Sequence, residues 1–142
     1  MNQSQVVLSS LAVALVLAGP AYAEKDGKTL QGEEFVTGGV GGEEQAALKE
    51  RLPQYSLWIQ TAAKAGPFLS GASVTITDQA GRVVLDTPLD GPWLMVKLAL
   101  GEYKVTVTYG GRTEQRSTRI HVGDHHQMVV YFDESVELLP KG

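Results

Sequence analysis

From Tyr55 onward the chain alternates with a period of two. Tyr55, Leu57, Ile59 and Thr61 share one side of the pattern, and Ser56, Trp58, Gln60 and Ala62 share the other. Large apolar groups on both sides predict a strand covered on both faces. After the Ala65-Gly66-Pro67 break, Gly71 to Thr77 alternates again with Ala72, Val74 and Ile76 on one face. Asp78-Gln79-Ala80-Gly81 then has the Asp-first, Gly-last order of a type I turn. Val83 to Leu85 and Trp93 to Leu98 read as short strands, separated by a loop with Pro88, Gly91 and Pro92. Glu102 to Tyr109 is the clearest strand, with Tyr103, Val105, Val107 and Tyr109 opposite Lys104, Thr106 and Thr108.

Gly110-Gly111 predicts a tight hairpin returning as Arg112 to Val122. That register sets Val105 against Arg116 and Val107 against Glu114, so either the hairpin tip runs past the core or a bulge shifts the pairing. Gly123-Asp124-His125-His126 is a turn, and Met128 to Phe132 is the last strand. The total is about seven short strands with turns every 8–12 residues, the pattern of a β-sandwich.

The first third of the chain differs. Val6 to Gly19 is uncharged and mostly apolar, too short to span a bilayer, and Ala21-Tyr22-Ala23 follows Pro20. Ala21 and Ala23 supply the small-x-small pattern of a signal-peptide cleavage site, although Met1 to Gln5 carries no Lys or Arg. Residues 1–23 are therefore expected to be a signal peptide. Residues 24–54 read as a flexible lead, with a short extended stretch at Phe35-Val36-Thr37, a glycine hinge at Gly38 to Gly42 and a helix over Glu43 to Leu52 that Pro53 stops. The sandwich is expected over 55–133, with 134–142 as a tail. The expectation is an all-β, about seven-stranded immunoglobulin-like or transthyretin-like sandwich with a short N-terminal helix.

Composition narrows the compartment. The chain contains no cysteine, which excludes disulfides and the Cys-dependent lipid anchor of exported bacterial proteins. The net charge of −4 gives no general attraction to nucleic acid or anionic membrane. A soluble periplasmic or secreted product is expected, with no membrane span after signal cleavage.

Gly71-Ala72-Ser73-Val74-Thr75-Ile76-Thr77-Asp78, then Gly81, then Leu100-Gly101-Glu102-Tyr103-Lys104-Val105-Thr106-Val107 resemble a carboxypeptidase regulatory-like domain, a transthyretin-like relative of the immunoglobulin sandwich. The span from Tyr55 to Phe132 also resembles uncharacterised exported bacterial proteins that carry this domain. The resemblance implies a structural or binding module with no catalytic residues to transfer. Some related surface modules form a Lys–Asn isopeptide bond, but here Asn2 is the only asparagine and lies in the signal segment.

Candidate chemistry is sparse. All three histidines, His121, His125 and His126, cluster around Asp124, a donor set suited to Zn²⁺, Cu²⁺ or Ni²⁺. The competing reading is a polar turn between strands. No serine lies in Gly-x-Ser-x-Gly, and the Gly38 to Gly42 run lacks the Gly-Lys-Ser/Thr ending of a phosphate loop, so no enzyme and no cofactor is expected. Trp58, Trp93, Tyr55, Tyr103, Tyr109 and Tyr131 suit a sandwich core. Trp93, after Asp90-Gly91-Pro92, is the candidate for an exposed aromatic contact. Arg112, Arg116 and Arg119 suit either a charge-guarded edge strand or a dock for an acidic partner. Two function classes follow: a non-catalytic module binding an envelope protein or glycan, and a periplasmic metal-binding protein using the histidine turn.

Overall fold

A computed structural model describes residues 25–133. The cleavage-site residues Ala21 and Ala23 and the 134–142 segment lie outside the described residues. Nine strands form two facing sheets: β1 (Lys25–Lys28), β2 (Glu34–Gly38), β3 (Leu57–Ala63), β4 (Ser73–Asp78), β5 (Val83–Pro88), β6 (Trp93–Val96), β7 (Gly101–Tyr109), β8 (Arg112–Ile120) and β9 (His126–Phe132). The five-stranded sheet has the order β1-β2-β6-β3-β9, and the four-stranded sheet β5-β4-β7-β8. This is an all-β sandwich, as the alternating pattern predicts.

The core lies between the sheets. Leu57 and Ile59 of β3, Leu94 and Val96 of β6, and Val130 and Phe132 of β9 meet Val74 and Ile76 of β4 and Val105 and Val107 of β7, all essentially without exposure. One helix, α1 (Gly42–Arg51), covers part of the outer face of the five-stranded sheet. Its Leu48 joins Val36, Tyr55, Trp93 and Met95 in a second, smaller cluster, with Leu52 and Trp58 packed against it. That cover explains why β3 is apolar on both faces.

Two turns follow directly from their residues. The Asp78 carboxylate accepts from the backbone N–H groups of Ala80 and Arg82 at 3.0 and 2.9 Å, closing the β4–β5 turn. Gly110 and Gly111 both adopt positive φ, 58° and 80°, the conformation that a tight β7–β8 hairpin requires. The hairpin keeps the register read from sequence, Val105↔Arg116 and Val107↔Glu114, without a bulge; β7 stays in the core through Val107, and the edge strand β8 carries Glu114 and Arg116 outside it. On β8 full burial starts only at Thr118 and Ile120.

The sandwich begins earlier than its expected start at residue 55. β2 pairs with the central strand β6, setting Phe35 opposite Val96 and Val36 opposite Met95, and β1 pairs with β2. Lys25–Lys28 has no apolar alternation to announce a strand. It is held by ladder hydrogen bonds that any sequence without proline can make. Beyond it, the Leu30 N–H donates to the Val84 carbonyl of β5 at 2.8 Å and ties the two sheets together along that side.

Candidate functional site

Strands β1, β9, β5 and β8 occupy the sheet edges among the described residues. An exposed edge presents unpaired N–H and C=O groups, and proteins ordinarily guard it with charge, proline or cover. β1 carries Lys25, Asp26 and Lys28. β5 carries Asp86 and Pro88, and its Val84 carbonyl is occupied by Leu30. β8 carries Arg112, Glu114, Arg116 and Arg119. β9, His-Gln-Met-Val-Val-Tyr-Phe, has no Asp, Glu, Lys, Arg or Pro.

The hydrogen bonds at the two ends of the parallel β3–β9 ladder establish which backbone groups of β9 are used. The His126 N–H donates to the Ser56 carbonyl, and the Lys64 N–H donates to the Phe132 carbonyl, both at 2.8 Å. In a parallel ladder both backbone groups of a residue point the same way, and this alternates along the strand. His126, Met128, Val130 and Phe132 therefore face β3, while Gln127, Val129 and Tyr131 aim their N–H and C=O groups at the free edge.

The side chains of those three residues lie on the outer face of the sheet. Tyr131 is 46% exposed. Ala62 of β3 is its cross-strand partner and also bridges to Phe68, which is 43% exposed. Phe68 stands edge-on to Trp93 with centroids 6.0 Å apart. An apolar strip of Val129, Tyr131, Ala62 and Phe68 thus adjoins the free backbone groups.

Trp93 does not occupy the exposed place expected of it, being 2% exposed. Its cross-strand neighbour on β2 is Gly38, and the Gly39 backbone packs so closely on the indole that a Cβ there would come within 2.9 Å of it. On the other side Trp58 packs edge-on with centroids 4.8 Å apart. The exposed aromatics among the described residues are instead Phe68 and Tyr131. Tyr131 was legible as the outward member of the β9 alternation, whereas Phe68 follows Pro67 in a break and gives no such signal.

Arg112, Glu114 and Arg116 alternate along β8 on the inward side, at the open rim between β8 and β9. Arg116 pairs with Glu114 at 3.1 Å. Arg119, on the opposite face, pairs with Glu102. A shallow groove of about 570 Å³ beside that pair is lined by Asp78, Glu102, Lys104 and Arg119, and its charge is of mixed sign.

The histidines divide among separate partners. The Asp124 carboxylate accepts from the His121 backbone N–H at 2.7 Å and lies 3.3 Å from the His121 ring Nδ1. The backbone contact, aided by the His121 ring and by the nearby His126, holds the Asp124 carboxyl below its usual range. His125 Nδ1 donates to the Tyr55 carbonyl at 2.8 Å, which assigns the proton to that nitrogen because a carbonyl can only accept. Among the described residues no three His, Asp or Glu side chains converge as a metal-holding group. Also among them, no helix is long and apolar enough to cross a membrane.

Compared with known proteins, the chain matches no protein-family model, and no curated protein matches it.

Proposed function

We propose that this chain is a non-catalytic interaction module of the bacterial cell envelope, exported by a cleaved signal peptide, which binds a protein partner through strand addition at β9. The observation that carries this reading is the contrast among the edges. Among the described residues, β1, β5 and β8 are charged or covered, while β9 offers the backbone groups of Gln127, Val129 and Tyr131 on an uncharged strand beside exposed Tyr131 and Phe68. Strand addition draws affinity from main-chain hydrogen bonds and specificity from neighbouring side chains, and both are present here. A carboxypeptidase regulatory-like domain accords with the reading, because the residues that carry that resemblance lie on β4, the β4–β5 turn and β7, away from this edge. A non-catalytic role is supported by the placement of the His121–Asp124 pair on an exposed turn, outside any enclosed cleft.

A photoreactive residue placed at Gln127 in cells should give one dominant adduct with an envelope protein. The same residue at Lys104, on the opposite sheet, should not, and Val129→Pro should abolish the Gln127 adduct. Indistinguishable adducts from the two positions, or none from Gln127, would overturn the reading. Sequencing of the exported protein should find Glu24 as its first residue.

A further inference from the structure

We infer that the protein which adds to β9 is a second copy of this chain, its own β9 running antiparallel across a two-fold axis at Val129 and joining the two five-stranded sheets into one. The inference rests on the proposed strand addition and names its partner.

Backbone symmetry comes first. Among the described residues β9 lies at a sheet edge, and Gln127, Val129 and Tyr131 aim their N–H and C=O groups away from β3. Val129 is the middle of the three. A two-fold axis there sets Val129 opposite the partner's Val129, Gln127 opposite the partner's Tyr131, and Tyr131 opposite the partner's Gln127. In an antiparallel ladder the two residues of a hydrogen-bonded pair exchange both of their N–H···O bonds. Three such pairs form about six bonds and use every outward group of the set. The interface is the same patch on both copies, so assembly closes at a dimer.

Side chains and charge agree with this register. The two Val129 side chains meet at the axis on the outer face. Tyr131, half-exposed in one copy, lies beside the partner's Gln127 and diagonal to the partner's Val129, a separation that an aromatic ring spans. On the inward face Met128, partly buried against the core, falls opposite the partner's Val130. β9 carries no Asp, Glu, Lys or Arg, so self-pairing sets no like charges against each other. One residue beyond each end of the strand, His125 falls opposite the partner's Asp133. An imidazole meeting a carboxylate is complementary in charge whenever the ring is protonated, and the two-fold axis makes the contact twice.

Single cysteines test the axis and the register, because the chain has no native cysteine. Val129→Cys in the full exported chain sets two cysteines across the axis with Cα atoms about 5.5 Å apart, within disulfide reach. Mild oxidation should convert it mainly to a disulfide-linked dimer. Gln127→Cys and Tyr131→Cys should each form little disulfide alone, because each lies four residues along the ladder from its own mate, roughly 13 Å. A mixture of those two variants should form the mixed disulfide. Light scattering on the unsubstituted chain should show a mass that doubles as concentration rises. Val129→Pro removes the donors at the axis and should weaken the dimer at least about tenfold. Amide exchange at Gln127, Val129 and Tyr131 should slow at least about tenfold from dilute to concentrated protein.

Equal oxidation of all three single-cysteine variants would overturn the inference. A chain that stays monomeric, with exchange at those amides independent of concentration, would overturn it as well. Slow exchange in that monomer assigns the edge to another part of the same chain, and fast exchange leaves it open to a different protein. The two proposals fail separately. A Gln127 adduct in cells that contains a different protein, from a chain that is monomeric in solution, removes the self-pairing and leaves strand addition standing. Absence of any Gln127 adduct in cells removes the cellular partner, while the Val129→Cys disulfide still reports the paired edges.

Discussion

Val105 of β7 lies directly across the ladder from Arg116 of β8, one residue fully buried and the other at the rim. The two share a face of one sheet, yet the core ends between their strands. Replacing Val105 with Ala should therefore destabilise the domain by about 1–3 kcal/mol, through lost burial and the cavity left behind. Lys104→Ala, on the opposite face, should change stability by no more than about 0.5 kcal/mol. Urea unfolding followed by circular dichroism separates the two, and equal effects would mean that the face assignment of β7 is wrong.

Neighbouring prolines in β9 should behave very differently. The Val130 N–H faces β3, and its side chain is in the core, so Val130→Pro should cost roughly 3 kcal/mol or more, or prevent folding. The Val129 N–H faces the free edge, where proline is tolerated, so Val129→Pro should cost at most about 1 kcal/mol. Similar melting temperatures for the two variants would contradict the β3–β9 register.

The turn between β8 and β9 should respond to acid through Asp124. Its carboxyl pKa is depressed in the folded state, chiefly by the His121 backbone N–H. A depressed acid stabilises the fold above its unfolded pKa, near 3.9 for Asp, and that contribution is lost as pH falls through the lower folded value. The His121 amide resonance should accordingly titrate below the usual carboxylate range. Asp124→Asn should remove that titration, and a midpoint at or above the ordinary Asp value would refute the contact.

Zn²⁺, Cu²⁺ and Ni²⁺ should bind the native chain no more than about tenfold tighter than a variant with His121, His125 and His126 all changed to Ala. The physical ground is that Asp124 holds His121 while Tyr55 holds His125, so three neutral donors do not face one point. Calorimetry at pH 7 on the two proteins would check this. Micromolar affinity that vanishes in the triple variant would show that the turn rearranges into a metal site.

Local pattern determined much of the sandwich in advance. The alternation of β7, the Asp78–Gly81 turn and the Gly110-Gly111 hairpin each depend on residues within a few positions of one another, and a period of two needs no distant partner to be read. The two-sided apolar pattern of β3 even announced that a second layer would cover it. Tertiary structure alone decided three other matters. Lys25–Lys28 became a strand because β2 offered it a backbone ladder, and ladder bonds leave no trace in side-chain pattern. Trp93 became buried because Gly38, Gly39 and Trp58 close around it from separate parts of the chain. Among the described residues β9 lies at an edge because it joins the far side of β3 in parallel, Leu57 beside His126. A strand's own sequence encodes how it pleats, but whether it lies at the centre or the edge of a sheet depends on which distant strands pair beside it.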